Sequence, residues 1–383
     1  MKNISRRKFL RSSAIIAATG ALVTPNVACK RLFVNTKTSG SKTLSLKFSH
    51  MMHELRHTFT ISGFSRDQTA AVLAEISYDG YTGYGEGGLP PYMTGQTVES
   101  STFFLNKIDL SQFSSPFELE DILTYVDSVD SGHSCSKSAI DIALHDLIGK
   151  LLDKPLYQLW GYNREKAPDT SFTIGIDKEE VVRQKTEEAA PYNLIKVKLG
   201  VDEKTDKMLV NTIRSVTDKP IVVDANQGWK DKNFALEMIN WLNERNVLLI
   251  EQPMPKNVFD EMAWVTERSP LPTFADESCQ RLADVAKLHN VFSGINIKLI
   301  KCTGLREANK MIATADALGM KLMIGCTTES SCAISAAAQI SPKMYFADLD
   351  GNLLISNDPF TGMKIVDGKI TLNDKPGIGI SRI

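Results

Sequence analysis

The sequence lacks several features that mark particular classes of protein. It has no run of about 18 or more apolar residues, so we expect no membrane-spanning helix. Its formal net charge is −1, which argues against nucleic acid as the main partner. It contains 6 cysteines and no C-x-x-C pair, a pattern that favours neither a zinc knot nor a disulfide framework. What remains is an ordinary globular composition over 383 residues, enough for two domains or one large one.

The first 30 residues are typical of a targeting segment. Ser5–Leu10 (SRRKFL) is a basic stretch with the twin-arginine pattern, and Ala14–Val23 is an apolar stretch too short to span a bilayer. We therefore expect residues 1–30 to be a signal peptide and the protein to be exported to the periplasm or cell envelope. The alternative is a cytoplasmic protein with a basic N-terminal tail.

The end of this segment loosely resembles a lipobox. Cys29 follows two small residues, but Asn26 replaces the large apolar residue usually found three positions before the cysteine. The sequence leaves open whether Cys29 is a lipid anchor. Residues 31–43 are polar and are predicted to be a linker.

Seven short apolar runs recur roughly every 23 to 27 residues, with helix-period segments between them. The runs are Leu194–Leu199, Ile221–Asn226, Leu248–Pro253, Pro272–Glu277, Ile295–Ile300, Lys321–Cys326 and Tyr345–Asp350. Ser171–Ile176 precedes them as an eighth predicted strand. Strand and helix alternating at this spacing predict an α/β fold, a (β/α)8-type barrel over residues 136–351. Most runs end on a charged residue, and such groups meet at the barrel mouth where active sites lie.

The chain before the barrel has another organisation. Residues 44–135 show strands followed by helices without alternation, which indicates an α+β capping domain. Its loops around residues 53–66 and 86–94 are candidate lids over the barrel. Residues 352–383 are rich in turns and are expected to return to the capping domain.

Three successive strands end on carboxylates: Asp224, Glu251 and Asp276. Three carboxylates in one mouth repel one another, and a divalent cation is the simplest way to hold them together. Oxygen ligands of this kind suit Mg²⁺. The alternative is three separate carboxylates, each paired with a lysine.

Three lysines lie on strands that face the same mouth. Lys196 and Lys198 are two residues apart on one strand, so both side chains point to the same face. Like-charge repulsion is expected to lower the pKa of each, making a neutral amine base accessible. Lys298 lies on the sixth strand, nearly opposite the second, so two lysines can face each other across a substrate; Lys301 is a weaker candidate.

At these residues the chain resembles the enolase superfamily, in its muconate-lactonising-enzyme subgroup. The matching motifs are Lys196–Lys198, Asp224–Asn226, Glu251–Pro253, Asp276–Ser278 and Asn296–Lys298. The resemblance covers roughly residues 44–383 and implies a modified (β/α)7β barrel with a capping domain. It implies Mg²⁺ bound by the three carboxylates, an enolate stabilised by that ion with help from Lys196, and Lys198 and Lys298 as the catalytic pair.

One further motif discriminates within the subgroup. Asp348 and Asp350 lie on one face of the eighth strand and can bind an ammonium group. The pair resembles that of the dipeptide epimerases, where it holds the free amino group. From the same resemblance, Thr173, Cys326 and Thr328 are expected to contact the dipeptide. Arg66 in the lid is expected to reach a side-chain carboxylate of its second residue.

The sequence thus predicts a Mg²⁺-dependent dipeptide epimerase. Its expected partner is a small dipeptide substrate, and it inverts the α-carbon of the C-terminal residue. L-Ala-D/L-Glu from peptidoglycan is the best single substrate expectation, and we expect a homo-oligomer. Alternatives within the subgroup are an N-acylamino acid racemase, an o-succinylbenzoate synthase or a cycloisomerase. An alternative from another class is an exported, non-catalytic peptide-binding protein.

Overall fold

The computed structural model describes residues 42–61 and 64–383, without the side chains of residues 57–64. The predicted signal peptide, Cys29 and nearly all of the predicted linker therefore lie outside the described residues. In the part of the chain that the structure describes, no helix combines the length and apolar character that crossing a membrane requires.

An antiparallel three-stranded sheet opens the fold, in the order β1 (Ser45–Ile61), β2 (Phe64–Tyr78) and β3 (Tyr81–Gly88). The helices that follow are α1 (Pro91–Thr94), α2 (Val98–Leu105), α3 (Leu119–Val129), α4 (Ser134–Leu151) and α5 (Leu156–Leu159). Helix α4 packs directly on β3 because the strand carries glycine at alternate positions. A Cβ at Gly85 would lie only 2.0 Å from the carbonyl oxygen of Ala139, so no other residue allows this approach.

Eight parallel strands then form the barrel, and they confirm all eight predicted from the sequence. The strands are β4 (Phe172–Ile174), β5 (Ile195–Lys198), β6 (Ile221–Asp224), β7 (Val247–Glu251), β8 (Thr273–Ala275), β9 (Gly294–Ile297), β10 (Lys321–Gly325) and β11 (Phe346–Asp348). Between them run α6 (Glu179–Glu188), α7 (Glu203–Arg214), α8 (Lys232–Asn243), α9 (Phe259–Arg268), α10 (Leu282–Leu288), α11 (Leu305–Ala317) and α12 (Ser331–Ala338). The first and last strands meet where the Ser171 amide donates to the Ala347 carbonyl at 3.0 Å, which brings the barrel close to closure.

The alternation of side chains along β5 explains how charged groups enter the barrel. Ile195 and Val197 point outward and join the main apolar core with the surrounding helices. Lys196 and Lys198 consequently point inward, as the two-residue spacing predicted. Below them, a smaller apolar cluster that includes Leu249 fills the barrel interior. The polar layer therefore lies above an apolar floor, at the carboxyl ends of the strands.

The C-terminal segment forms two short antiparallel pairs, β12 (Phe360–Thr361) with β15 (Ser381–Arg382) and β13 (Lys364–Val366) with β14 (Lys369–Thr371). Before them the chain touches the first strand of the N-terminal sheet, where the Ser356 amide donates to the Glu54 carbonyl at 2.8 Å. This contact holds the start of the predicted lid region, at Glu54, against the segment that follows the last barrel strand.

Candidate active site

A cavity of about 560 Å³ opens at the carboxyl ends of the barrel strands. Eight of the site residues predicted from the sequence line it: Arg66, Thr173, Lys198, Lys298, Cys326, Thr328, Asp348 and Asp350. The other four, Lys196, Asp224, Glu251 and Asp276, are buried beside it. The structure therefore brings every predicted site residue to one place.

The three carboxylates form one buried cluster. Asp224, Glu251 and Asp276 each offer an oxygen atom, and these atoms all lie within 4.8 Å of one another. Each side chain is at most 1% exposed, so water screens their mutual repulsion very little. Three oxygen donors this close are the ligand set that Mg²⁺ accepts, and they leave the remaining positions to water or substrate.

The charges of this cluster are only partly balanced by the protein. Burial and the neighbouring Asp224 raise the pKa of Glu251, although Lys196 lowers it. Burial also raises the pKa of Asp276, but Lys298 and Lys301 outweigh it and hold that pKa well below its ordinary value. A divalent cation would relieve the repulsion that remains at Glu251, and the residues present fit such an ion.

The two predicted bases lie on β5 and at the end of β9, four strands apart in the sheet order. Lys198 Nζ lies 2.6 Å from Asp224 Oδ2, and Lys298 Nζ lies 2.8 Å from Asp276 Oδ2. Both line the cavity, so both amines are directed at its interior from different sides. Lys301, by contrast, is buried against the Asp276 carboxylate at 2.5 Å and does not line the cavity.

Lys196 overturns one expectation from the sequence. Mutual repulsion of the paired lysines was expected to lower the pKa of each. Burial does lower the pKa of Lys196, but Asp348, Glu251 and Asp224 raise it well above its ordinary value. The carboxylates come from distant parts of the chain, and at 2.6 to 3.5 Å their attraction exceeds the repulsion from Lys198. Lys196 is therefore a fixed positive charge.

Hydrogen bonds involving two buried amide side chains, Gln252 and Asn296, position the acidic cluster. Gln252 is fully buried and accepts from the Asp276 and Ser278 amides, both at 3.0 Å. Asn296 donates to Glu251 Oε1 at 2.7 Å, and Gly325 on the next strand leaves the room that its side chain needs. These amides lie inside the matching motifs, but sequence reasoning assigned them no role.

The backbone turns sharply where the predicted strands end. Asn226 and Gln252 have φ of 41° and 36°, in the left-handed region that non-glycine residues seldom adopt. Such strain concentrates at functional sites, where the surroundings hold it in place. It also explains why the strands stop at Asp224 and Glu251, short of the apolar patterns that predicted them.

Asp348 ends β11 and Asp350 lies just beyond the strand that was predicted to carry both, and both side chains line the cavity. Asp348 accepts from the Ser171 and Thr173 hydroxyls at 3.0 and 3.2 Å, and from Lys196 at 2.6 Å. Asp350 accepts the Thr173 amide at 2.9 Å. Burial and the charge of Asp348 raise the pKa of Asp350 to about 7. The less compensated carboxylate is thus Asp350, which suits it to an incoming cation.

The capping domain completes the cavity through Arg66. Its Nη2 donates to Thr328 Oγ1 at 3.0 Å, and its guanidinium group lies 4.9 Å from the centre of the Tyr92 ring. Tyr92 belongs to α1, so two lid elements and one barrel loop converge here. Sequence reasoning missed Tyr92, because nothing in its local pattern places it beside Arg66.

Three cysteines follow barrel strands. Of Cys279, Cys302 and Cys326, Cys326 alone lines the cavity. Cys279 and Cys302 are fully buried beneath the loops that follow β8 and β9. Burial raises the pKa of the Cys279 thiol to about 12, so that side chain acts as a small apolar residue.

Comparisons with known proteins agree with this geometry. Residues 178–382 match the family described as enolase C-terminal domain-like. Residues 45–161 match the mandelate racemase and muconate lactonizing enzyme N-terminal domain. The chain is 56% identical to an L-Ala-D/L-Glu epimerase of Bacteroides thetaiotaomicron, over 99% of this chain and 100% of that protein. Epimerases are isomerases.

Solved structures are also similar. The L-Ala-D/L-Glu epimerase of Bacillus subtilis, solved as a substrate-liganded complex, has a TM-score of 0.84 at 27% identity over 88% of this chain and 98% of that one. A dipeptide epimerase of Enterococcus faecalis, complexed with Mg and L-Leu-L-Tyr, has a TM-score of 0.81 at 32% identity over 89% and 99%. The matches span both domains and the whole site, and the chain belongs to the enolase superfamily, in the mandelate racemase and muconate lactonizing enzyme family.

Proposed function

We propose that the protein is a dipeptide epimerase that inverts the α-carbon of the C-terminal residue. One observation carries the proposal: a single cavity is lined by the Asp348 and Asp350 pair and by two lysines directed inward, and the buried acidic cluster lies beside it. The first feature suits a free ammonium group, the second suits proton transfer, and the third suits a cation near the substrate carboxylate. The identity to named epimerases supports the same reading.

The chain's own residues supply the proton chemistry. One lysine, as the neutral amine, removes the α-proton, and the C–H electron pair passes into the adjacent carboxylate as an enolate. The other lysine, as the ammonium, then gives a proton to the opposite face of the same carbon. Lys198 and Lys298 are the pair in position, because both line the cavity from separate strands. The reaction is redox-neutral, and the two lysines end with their protonation states exchanged.

Asp224, Glu251 and Asp276 are the residues that would hold Mg²⁺. When bound, the ion supplies positive charge where negative charge develops on the substrate carboxylate. Lys196, a fixed positive charge beside the cluster, adds to that electrostatic stabilisation.

The wall formed by the capping domain suggests the second residue of the dipeptide. Arg66 presents a guanidinium group to the cavity between Tyr92 and Thr328, and such a group binds a carboxylate well. We therefore propose Glu at the second position, and L-Ala-D/L-Glu as the substrate. With the twin-arginine pattern at Arg6 and Arg7, we further propose that the enzyme acts in the cell envelope, where peptidoglycan fragments arise.

A screen of dipeptide pools in deuterated water tests the function. We expect a mass gain of one deuterium, with inversion, in dipeptides that carry a free amino group, and the strongest signal with L-Ala-L-Glu. Arg66→Gln should reduce turnover of that substrate by about tenfold or more while leaving L-Ala-L-Ala nearly unchanged, since only the former has a side-chain carboxylate. Exchange confined to N-acylated amino acids would refute the dipeptide assignment and favour the racemase alternative.

A further inference from the structure

Lys196 connects the two halves of the site. Its ammonium group lies 2.6 Å from Glu251 Oε2 on one side and 2.6 Å from Asp348 Oδ2 on the other, with Asp224 Oδ2 at 3.5 Å. The side chain is fully buried, so these carboxylates take the place of water around its charge. Any change in one partner must therefore alter how strongly the lysine holds the others.

Asp348 is built to hold its end of this contact. Its Oδ1 accepts from the Ser171 and Thr173 hydroxyls, which leaves Oδ2 directed at Lys196. Lys196 lowers the pKa of Asp348 to about 2 against the effect of burial, so the carboxylate stays ionised. Asp350, two residues on, has a hydrogen bond to the Thr173 amide and no ion pair with Lys196 among the described residues.

We propose that Asp348 is a positioning residue for the metal site: it shares the Lys196 ammonium group with Glu251 and holds it 3.5 Å from Asp224, and so keeps the oxygens of the cluster available to a divalent cation. This role is distinct from binding the substrate amino group and rests on the metal site proposed above. Without the Asp348 charge, the buried ammonium group has the two cluster carboxylates as its remaining partners. It would close on Asp224 and pair more strongly with Glu251, and so compete with the cation for the same oxygens.

The test is Mg²⁺ binding to the full protein without substrate, measured by isothermal titration calorimetry. Asp348→Asn should weaken Mg²⁺ binding by about tenfold or more, the usual effect of removing a residue that supports a metal ligand. Asp350→Asn is the matched control when the titration is run well above pH 7, where Asp350 is ionised, because it then removes an equal charge two residues away that has no ion pair with Lys196 among the described residues. It should change the affinity by less than about threefold.

A double-mutant cycle shows whether the effect passes through Lys196. In a Lys196→Met background, Asp348→Asn should no longer weaken Mg²⁺ binding, because the competing ammonium group is gone. Asp348→Glu should restore part of the affinity. Equal affinities for folded Asp348→Asn and Asp350→Asn, or an undiminished effect in the Lys196→Met background, would overturn the proposal.

Folding is checked by near-UV circular dichroism on every variant. If Asp348→Asn does not fold, Ser171→Ala decides, because it loosens Asp348 and keeps every charge. It should weaken Mg²⁺ binding by about twofold to threefold, because it removes one of the two hydroxyl hydrogen bonds that hold Asp348, and an unchanged affinity would overturn the proposal. Failure of the wild-type protein to bind Mg²⁺ would instead refute the metal site itself, so the two failures are distinguishable.

Discussion

Lys298 and Asp276 form a buried salt bridge of 2.8 Å, in which a proposed base is paired with a proposed metal ligand. Asp276 Oδ1 is at the same time 2.5 Å from Lys301, so both oxygens of one carboxylate contact ammonium groups. A cation at the cluster must share this carboxylate with the lysines. Metal binding and the state of the base are therefore physically linked at Asp276.

The first prediction concerns the metal. Asp224→Asn, Glu251→Gln and Asp276→Asn should each lower turnover by at least about a hundredfold, because each removes one of three ligands of an ion whose contribution is several kcal/mol. Treatment of the wild-type protein with EDTA should abolish activity, and added Mg²⁺ should restore it. Activity that survives chelation would contradict the assignment.

The second prediction concerns the contribution of Asp276 to the stability of the fold. Asp276→Asn leaves Lys298 and Lys301 with an uncompensated charge in a buried place, a loss of about 3–5 kcal/mol in the free energy of unfolding. Asp350→Asn should cost far less, since its carboxylate pairs with a backbone amide. Urea denaturation of both variants measures the difference, and equal midpoints would argue against it.

Much of this arrangement could be predicted from the sequence, because the pattern within each barrel strand is local. The inward direction of Lys196 and Lys198 follows from a two-residue spacing, and the carboxylates follow from the strand ends. The pairing of Lys196 with Asp348 could not be predicted, since 152 residues separate them and only barrel closure brings them together. That pairing also reversed the expected direction of the pKa of Lys196.

The third prediction concerns recognition of the amino group. Asp350→Asn should weaken the use of free dipeptides by about 2–5 kcal/mol, the cost of removing one partner from a desolvated charge pair. N-acylated analogues have no ammonium group and should lose little. Comparison of kcat/KM for L-Ala-L-Glu and its N-acetyl derivative measures this, and equal losses would favour an acylamino acid racemase.

The fourth prediction is a pH dependence that follows from Asp350. Burial, followed by the charge of Asp348, raises its pKa to about 7, so the free enzyme holds this group neutral below that pH and ionised above it. An ionised carboxylate is needed to bind an ammonium group. We therefore expect kcat/KM for free dipeptides to fall by about tenfold per pH unit below pH 7.

Glu277 also lines the cavity, and burial raises its pKa to about 7 as well, so a control is needed. Asp350→Asn should remove the part of the pH profile that is specific to free dipeptides. It should leave any part shared with N-acylated substrates. An unchanged profile in this variant would assign the whole pH dependence to another group.

The fifth prediction concerns export. Arg6→Lys combined with Arg7→Lys keeps the charge of the predicted signal but removes the twin-arginine pattern. We expect precursor to accumulate in the cytoplasm of the double variant, as measured by cell fractionation and immunoblotting. Wild-type distribution of the double variant would remove the twin-arginine assignment, whereas the single Lys8→Arg change serves as a control that keeps both arginines.

The last prediction concerns the two lysines and tests the proposed mechanism directly. Lys198 and Lys298 reach the cavity from the second and the sixth of the eight barrel strands, which places one amine on each face of a substrate between them. Epimerisation needs both, one to remove the α-proton and one to supply it. Lys298→Ala should abolish inversion in both directions, because one direction loses its base and the other loses its acid.

Each single variant should nevertheless keep half of the chemistry. Lys298→Ala should still exchange the α-proton of one diastereomer with deuterium through Lys198, and Lys198→Ala should do the same for the other diastereomer through Lys298. Loss of an ammonium group also weakens substrate binding, so KM does not decide the matter. Deuterium incorporation followed by NMR does, with each diastereomer offered separately to each variant. Epimerisation by either variant at a near wild-type rate would refute the two-lysine mechanism, because the one remaining lysine would then have to serve both faces of the α-carbon.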